Sequence, residues 1–188
     1  LKKEVVLKKI KPILEDPSIK KVGQNIKFDF LILSQNNIEI TSLEDTMLIS
    51  YTLDAGSNRH NLDTLSEIHL NHKTISYKEL VGTGKNKMNV SEIALDKATE
   101  YAAEDADLTL RLYNYLKAKL DAEKLNKKVK KAGFRSFVNP ITIDDKTMQQ
   151  VCLGPEYDMT AANELLKEIK DWIDKNKMNL TGRVRKYP

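Results

Sequence analysis

With 188 residues, 40% hydrophobic and 31% charged, the chain is long enough for one ordinary domain with a sizeable core, and its composition is that of a soluble globular protein rather than a disordered or fibrous one. No apolar run approaches the ~20 residues that a membrane helix needs, and a formal net charge of +4 permits a nucleic-acid partner without arguing for one. The single cysteine, Cys152, excludes an internal disulfide and suits a reducing cytosol; the opening Leu-Lys-Lys-Glu does not read as a secretory signal, and the lack of an initiator Met leads us to expect a fragment.

Residues 3–14 should form an amphipathic helix with Val6, Ile10, Ile13 and Leu14 inward, ended by Asp16-Pro17. Residues 20–24 read as a short strand that turns through Gly23 into a helix over 26–35, which Asn25 can cap and whose first turn carries Asp29. Residues 38–41 alternate like a second strand, and the β-α-β order predicts neighbouring parallel strands in an α/β sheet. A helix is expected over 43–53 with Met47, Leu48, Tyr51 and Leu53 inward, then a loop over 54–58, a helix over 61–70 and a polar loop over 82–86.

Residues 94–116 predict a long helix whose apolar stripe, Ala98, Tyr101, Ala102, Leu108, Leu112 and Leu116, includes Asp105. Asp96, Glu100, Glu104 and Asp107 fall mostly on other faces, where a charge is simply solvated. Burying an unpaired carboxylate costs several kcal/mol, so Asp105 needs a cation, a hydrogen-bond donor or a raised pKa, and Tyr101 shares its face. A core-edge ion pair and a metal ligand beside a phenol both meet that need.

From Glu123 the character changes. Lys124, Lys127, Lys128, Lys130 and Lys131 form a basic run that is either a solvated helix face or a contact for phosphates, and Gly133 marks a break. Asn139-Pro140 and Gly154-Pro155 bound a stretch expected to be loop-rich, and 160–175 is an amphipathic helix with Leu165, Leu166, Ile169, Trp172 and Ile173 inward. Residues 123–188 are therefore set apart from 1–122 as a basic linker and C-terminal helical segment without an assignment.

Gly23-Gln24-Asn25-x-Lys27-x-Asp29 and Tyr101-Ala-Ala-Glu-Asp105-Ala-Asp resemble the second and third motifs of the DEDD-type 3′→5′ exonucleases with tyrosine in the third motif. Between them, Asp45-Thr46-Met47-Leu48-x-Ser50-Tyr51-x-Leu53, Arg59-His60-x-Leu62-x-x-Leu65 and His72-Lys73-Thr74-Ile75-Ser76-Tyr77 are similar to the proofreading domain of bacterial DNA polymerase I, with every block in order. Each motif is weak alone, whereas five in order at compatible spacing are specific. The resemblance implies an α/β, ribonuclease H-like exonuclease fold and hydrolysis assisted by two divalent ions, Mg²⁺ or Mn²⁺. It implies Asp29 and Asp105 as catalytic metal ligands and Tyr101 as the phenol that orients the attacking water. Gln24, Asn25, Met47, Arg59 and Tyr77 would meet the substrate strand, and His60 would be structural. The implied partners are a single-stranded DNA 3′ end and a polymerase domain in the full-length protein, with no membrane. A ribonuclease D-like RNA exonuclease shares the two signatures, and an inactive nucleic-acid-binding remnant is a third reading.

The family takes two further acidic ligands from an Asp-x-Glu pair on the first strand of its sheet. None precedes Asp29 here, so the fold is expected to lack its first sheet strands and the isolated chain to be impaired. Asp121-Ala-Glu123 has the spacing, but residues two apart on a helix face about 200° from one another. Ile141-Thr-Ile-Asp144-Asp145 could be a strand ending in acids, although in the wrong topological order.

Overall fold

The computed structural model describes residues 2–84, 87–143, 146–156 and 158–185, and the chain divides into two units, Leu1–Asp121 and Ala122–Pro188. The first unit opens with helix α1 (Lys3–Glu15), and strand β1 (Lys21–Gly23) follows. Helix α2 (Lys27–Ser34) then crosses to strand β2 (Leu43–Asp45), which pairs with β1 in parallel, Lys21 opposite Leu43 and Gly23 opposite Asp45. Gly23 is required by proximity, because a Cβ there would lie 2.8 Å from the Ile26 side chain.

The β-α-β order is as expected, but the second strand is not at 38–41. Ile38 and Ile40 are buried and Glu39 is exposed, so the alternation in that stretch does report burial. A strand also needs a partner for its backbone. Ser42, with φ 53°, turns the chain so that only the residues after it run beside β1.

Helix α3 (Thr46–Asp54) therefore starts late, capped by the Asp45 carboxylate, which accepts the Met47 N–H at 2.8 Å. Its inward face is Thr46, Ile49 and Ser50 with Leu53 half-buried, whereas Leu48 (63% exposed) and Tyr51 (50%) face outward, against expectation. Hydroxyls are the reason. The Thr46 hydroxyl donates to the Gly23 carbonyl at 3.1 Å, and Ser50 Oγ lies 2.8 Å from His60 Nδ1. A buried hydroxyl with a partner costs little, so two polar residues occupy positions that an apolar pattern assigns to their neighbours.

Helix α4 (Leu62–Leu70) ends in a left-handed Asn71, and the five-residue α5 (Tyr77–Val81) starts from a capping box between Ser76 and Glu79. After a 3₁₀ turn at Val90–Glu92 comes α6 (Leu95–Lys131), 37 residues long, which carries the basic run as exposed helix rather than linker. The first core gathers Ile49, Leu65, Leu112, Tyr113 and Leu116, with Val22, Leu53, Leu62 and Leu70 packed on it.

In the second unit α6 ends before Gly133, whose φ of 96° suits a residue without Cβ. Strands β3 (Ser136–Ile143) and β4 (Lys146–Leu153) then pair antiparallel, Ser136 opposite Leu153, where a loop-rich stretch was expected. Pro140 misleads the sequence reading: both strands of a two-stranded hairpin are edges, and an edge tolerates the missing N–H. Asp144 and Asp145 lie outside the described residues. Helix α7 (Met159–Lys175), capped by Asp158, packs Ile169 and Ile173 against Val129, with Leu125, Phe134, Leu153, Leu166 and Trp172 around them. No helix among the described residues is long and apolar enough to cross a membrane.

Candidate active site

One turn of α6 brings Tyr101 and Asp105 together on one face, where each perturbs the other's ionisation. Burial first, and the Asp105 charge second, push the Tyr101 phenol up to about 12. At neutral pH it is a hydrogen-bond donor and not a base. Burial also raises Asp105; the nearby Tyr101 hydroxyl opposes that shift, and the negative charges of Asp63 and Glu104 add to it. Of the alternatives open for Asp105, a raised pKa is the one that burial favours, with the Tyr101 phenol on the same face. Tyr77, at the start of α5 and 48% exposed, sets its ring edge-on to Tyr101 at 6.5 Å, and the Lys87 ammonium stands 5.9 Å from the Tyr77 ring centre.

Glu104 was expected to be solvated and is not. Its side chain is 17% exposed; Oε2 accepts the Ile75 N–H at 2.7 Å, and Oε1 lies 2.8 Å from His72 Nε2. The signal was present in the spacing, because Tyr101, Glu104 and Leu108 stand at i, i+3 and i+7 on one helix. Asp63, on α4, accepts the Thr74 hydroxyl at 2.8 Å. Sequence reasoning gave neither acid a role.

A second group of polar contacts forms around the end of β1. Gln24 donates from Nε2 to the His60 carbonyl at 2.7 Å, and its Oε1 lies against the Thr46 hydroxyl, so both ends of its amide are engaged. Asn25 does not cap α2. It sits in the left-handed region at φ 57°, where a cap cannot form but a short polar side chain is tolerated. The Asp45 carboxylate does that work, accepting the Asn25 N–H at 3.0 Å and the Ile26 N–H at 3.1 Å in addition to Met47. Its partners stand 19 and 20 residues away in sequence, which local pattern cannot show. Asp29 is exposed in the first turn of α2, Met47 is half-buried, and Arg59 is exposed before α4. His60 is buried, its ring centre 3.8 Å from that of Tyr51.

The carboxylates of the described residues do not by themselves fit a pair of divalent ions. Among the described residues no group of three His, Cys, Asp or Glu comes close enough to hold a metal. What the site does offer is local negative charge, with Asp63 and Glu104 beside an Asp105 that burial already disfavours as an anion.

Residues 1–121 match the family described as 3′-5′ exonuclease. DNA polymerase I of Rhizobium leguminosarum is 43% identical over 152 residues, which covers 77% of this chain and 15% of the relative. DNA polymerase I of Pseudomonas aeruginosa and of Borreliella burgdorferi are 42% and 39% identical, covering 65% and 68% of this chain and 14% of each relative. The chain thus spans a small part of the length of the curated relatives it matches. It belongs to the 3′-5′ exonuclease family, and its exonuclease domain is homologous to that of bacterial DNA polymerase I.

Proposed function

We propose that the first unit is the 3′→5′ exonuclease domain of a DNA polymerase I-like protein, and that it removes nucleotides from the 3′ end of single-stranded DNA, the proofreading reaction. The observation that carries this reading is the Tyr101–Asp105 pair, a half-buried phenol one helical turn from a carboxylate among further acids, with an exposed aromatic ring beside it. Family membership adds a ribonuclease H-like fold and a hydrolase that is typically metal-dependent.

In this reading Tyr101 orients the attacking water through its hydroxyl, since a phenol held near 12 takes no proton at neutral pH. Tyr77 offers its face to the terminal base, a stack worth roughly 1–3 kcal/mol. Met47 touches the same bases, Arg59 meets a backbone phosphate, and Gln24 and Asn25 border the scissile end. Asp29 and Asp105 would each give a carboxylate toward two ions, Mg²⁺ or Mn²⁺, which would supply an activated water and stabilise the leaving oxygen once further ligands completed the site. The described carboxylates do not complete that site. The proposal therefore includes an Asp-x-Glu pair from outside this sequence, a polymerase domain as neighbour in the full-length protein, and a cytosolic location.

The test is a single strand labelled at its 5′ end, incubated with Mg²⁺ and either this chain or the chain extended by a strand bearing Asp-x-Glu. The extended protein should shorten the strand stepwise from its 3′ end while the chain alone does little, and RNA of the same sequence should shorten more slowly. Robust trimming by the chain alone removes the missing pair from the proposal. Faster loss of RNA makes the enzyme an RNA exonuclease, and no shortening by either protein leaves a nucleic-acid-binding remnant.

A further inference from the structure

The segment 72–77, one of the blocks on which the family resemblance rests, acquires a physical reason in the structure. Between α4 and α5 the chain has no regular structure, and two carboxylates from different helices hold it. Glu104 of α6 takes the Ile75 N–H at 2.7 Å and sits 2.8 Å from His72 Nε2, while Asp63 of α4 takes the hydroxyl of the buried Thr74 at 2.8 Å. Hydrogen bonds to an ionised carboxylate are shorter and stronger than neutral ones, and these three fall within four consecutive residues. Immediately afterwards Ser76 caps α5, and Tyr77 is its first residue. A helix of five residues has little stability of its own, so its placement depends on what fixes the residues before it.

We propose that Glu104 is a positioning residue: by clasping His72 and the Ile75 amide it fixes the start of α5, so that Tyr77 is held edge-on to Tyr101 as a stacking face for the terminal base. Glu104 touches no substrate itself. Its neighbour in sequence, Asp105, turns toward Tyr101, so consecutive acids on α6 serve the reacting end and the binding face separately. The inference rests on the exonuclease reading for the ligand and on geometry alone for the clasp, which allows the two to fail separately.

Two measurements on the full chain, both without metal, decide it. The first is the nuclear Overhauser contact between the Tyr77 and Tyr101 rings, together with hydrogen exchange at the Ile75 amide. The second is affinity for a short single strand, read by fluorescence anisotropy in the parent and in a Tyr77→Ala background. Glu104→Ala should abolish the ring contact, speed Ile75 exchange and weaken binding about as much as Tyr77→Ala does, on the order of 5-fold or more for one lost stack. It should then add nothing in the Tyr77→Ala background. Glu104→Gln keeps an acceptor for the Ile75 N–H and a donor for the imidazole, and should stay within about 2-fold of the parent in a clasp that works by hydrogen bonding. Retention of the ring contact in Glu104→Ala, or an equal loss of affinity with and without Tyr77, overturns the proposal. Should Glu104→Ala fail to fold, His72→Ala, which cuts only one side of the clasp, must loosen the ring contact or the proposal falls. A parent chain that binds no single strand overturns the exonuclease reading, and the ring contact then judges the clasp alone.

Discussion

Tyr101 and Asp105 stand one helical turn apart and each shifts the other's ionisation, so a change at either is felt at both. Tyr101→Phe keeps the ring and removes the hydroxyl; in the chain extended by a strand bearing Asp-x-Glu, the proposed role of Tyr101 has turnover fall by up to ~10²-fold with strand affinity little changed, since that role is only to place the water. Stability should move by no more than about 1 kcal/mol. The Tyr101 hydroxyl lowers Asp105, so its removal raises that carboxyl further. Single-turnover rates and melting curves check both, and a variant that cleaves at the parent rate makes Tyr101 a core residue only. At the acid the linkage has a definite sign. The folded state holds the Asp105 proton more tightly than the unfolded chain, whose carboxyl titrates near 3.8. Stability from this group is therefore greatest when it is protonated and declines as pH rises from about 3.8 through the raised folded value. Asp105→Asn abolishes that decline, so without metal the variant should melt higher than the parent at neutral pH and the two should converge in acid. A constant difference across the titration, or a variant less stable at pH 7, would make the Asp105 charge an asset to the fold.

At the scale of elements, what could be read in advance depended on how local the cause was. The period of α6 placed Tyr101 and Asp105 on one face because both lie within a single turn. The same helix hid Glu104, whose partners are on a segment about thirty residues earlier and whose charge pointed to solvent. In α3 the inward stripe was misjudged because Thr46 and Ser50 bury hydroxyls that their partners satisfy, and in β2 the pairing was misplaced because Ser42 decides where the chain straightens. Asp45 shows the same limit in one residue. It joins β2, α2 and α3 by accepting three backbone N–H groups, from Asn25, Ile26 and Met47. Asp45→Ala should therefore cost more than an ordinary cap, about 2 kcal/mol or more. Asp45→Asn, which keeps one carbonyl acceptor, should recover part of that. Denaturant midpoints separate the three proteins, and an alanine variant within 0.5 kcal/mol of the parent, about the spread of ordinary surface changes, would reduce Asp45 to a surface residue.

Over the whole molecule the chemistry and the fold are divided unequally. Every residue assigned to the site lies in the unit Leu1–Asp121, whereas Ala122–Pro188 has a hairpin, a helix and a core of its own around Val129, Ile169 and Ile173. Neither buried cluster includes a residue of the other, although α6 contributes to both. A cavity cut into one core should then leave the other's function in place. Ile169→Ala removes buried aliphatic surface and should destabilise the second unit by about 2–5 kcal/mol. Affinity for a single strand and the ring contact between Tyr77 and Tyr101 should stay at parental values below the melting temperature. Leu112→Ala should cost a similar amount, but in the core that supports the helix bearing Tyr101 and Asp105, and it should weaken strand binding as temperature rises toward its lowered midpoint. Calorimetry beside anisotropy distinguishes the two variants. If Ile169→Ala disturbed strand binding as much as Leu112→Ala, the two cores would unfold as one, and the second unit would be part of what holds the exonuclease site together.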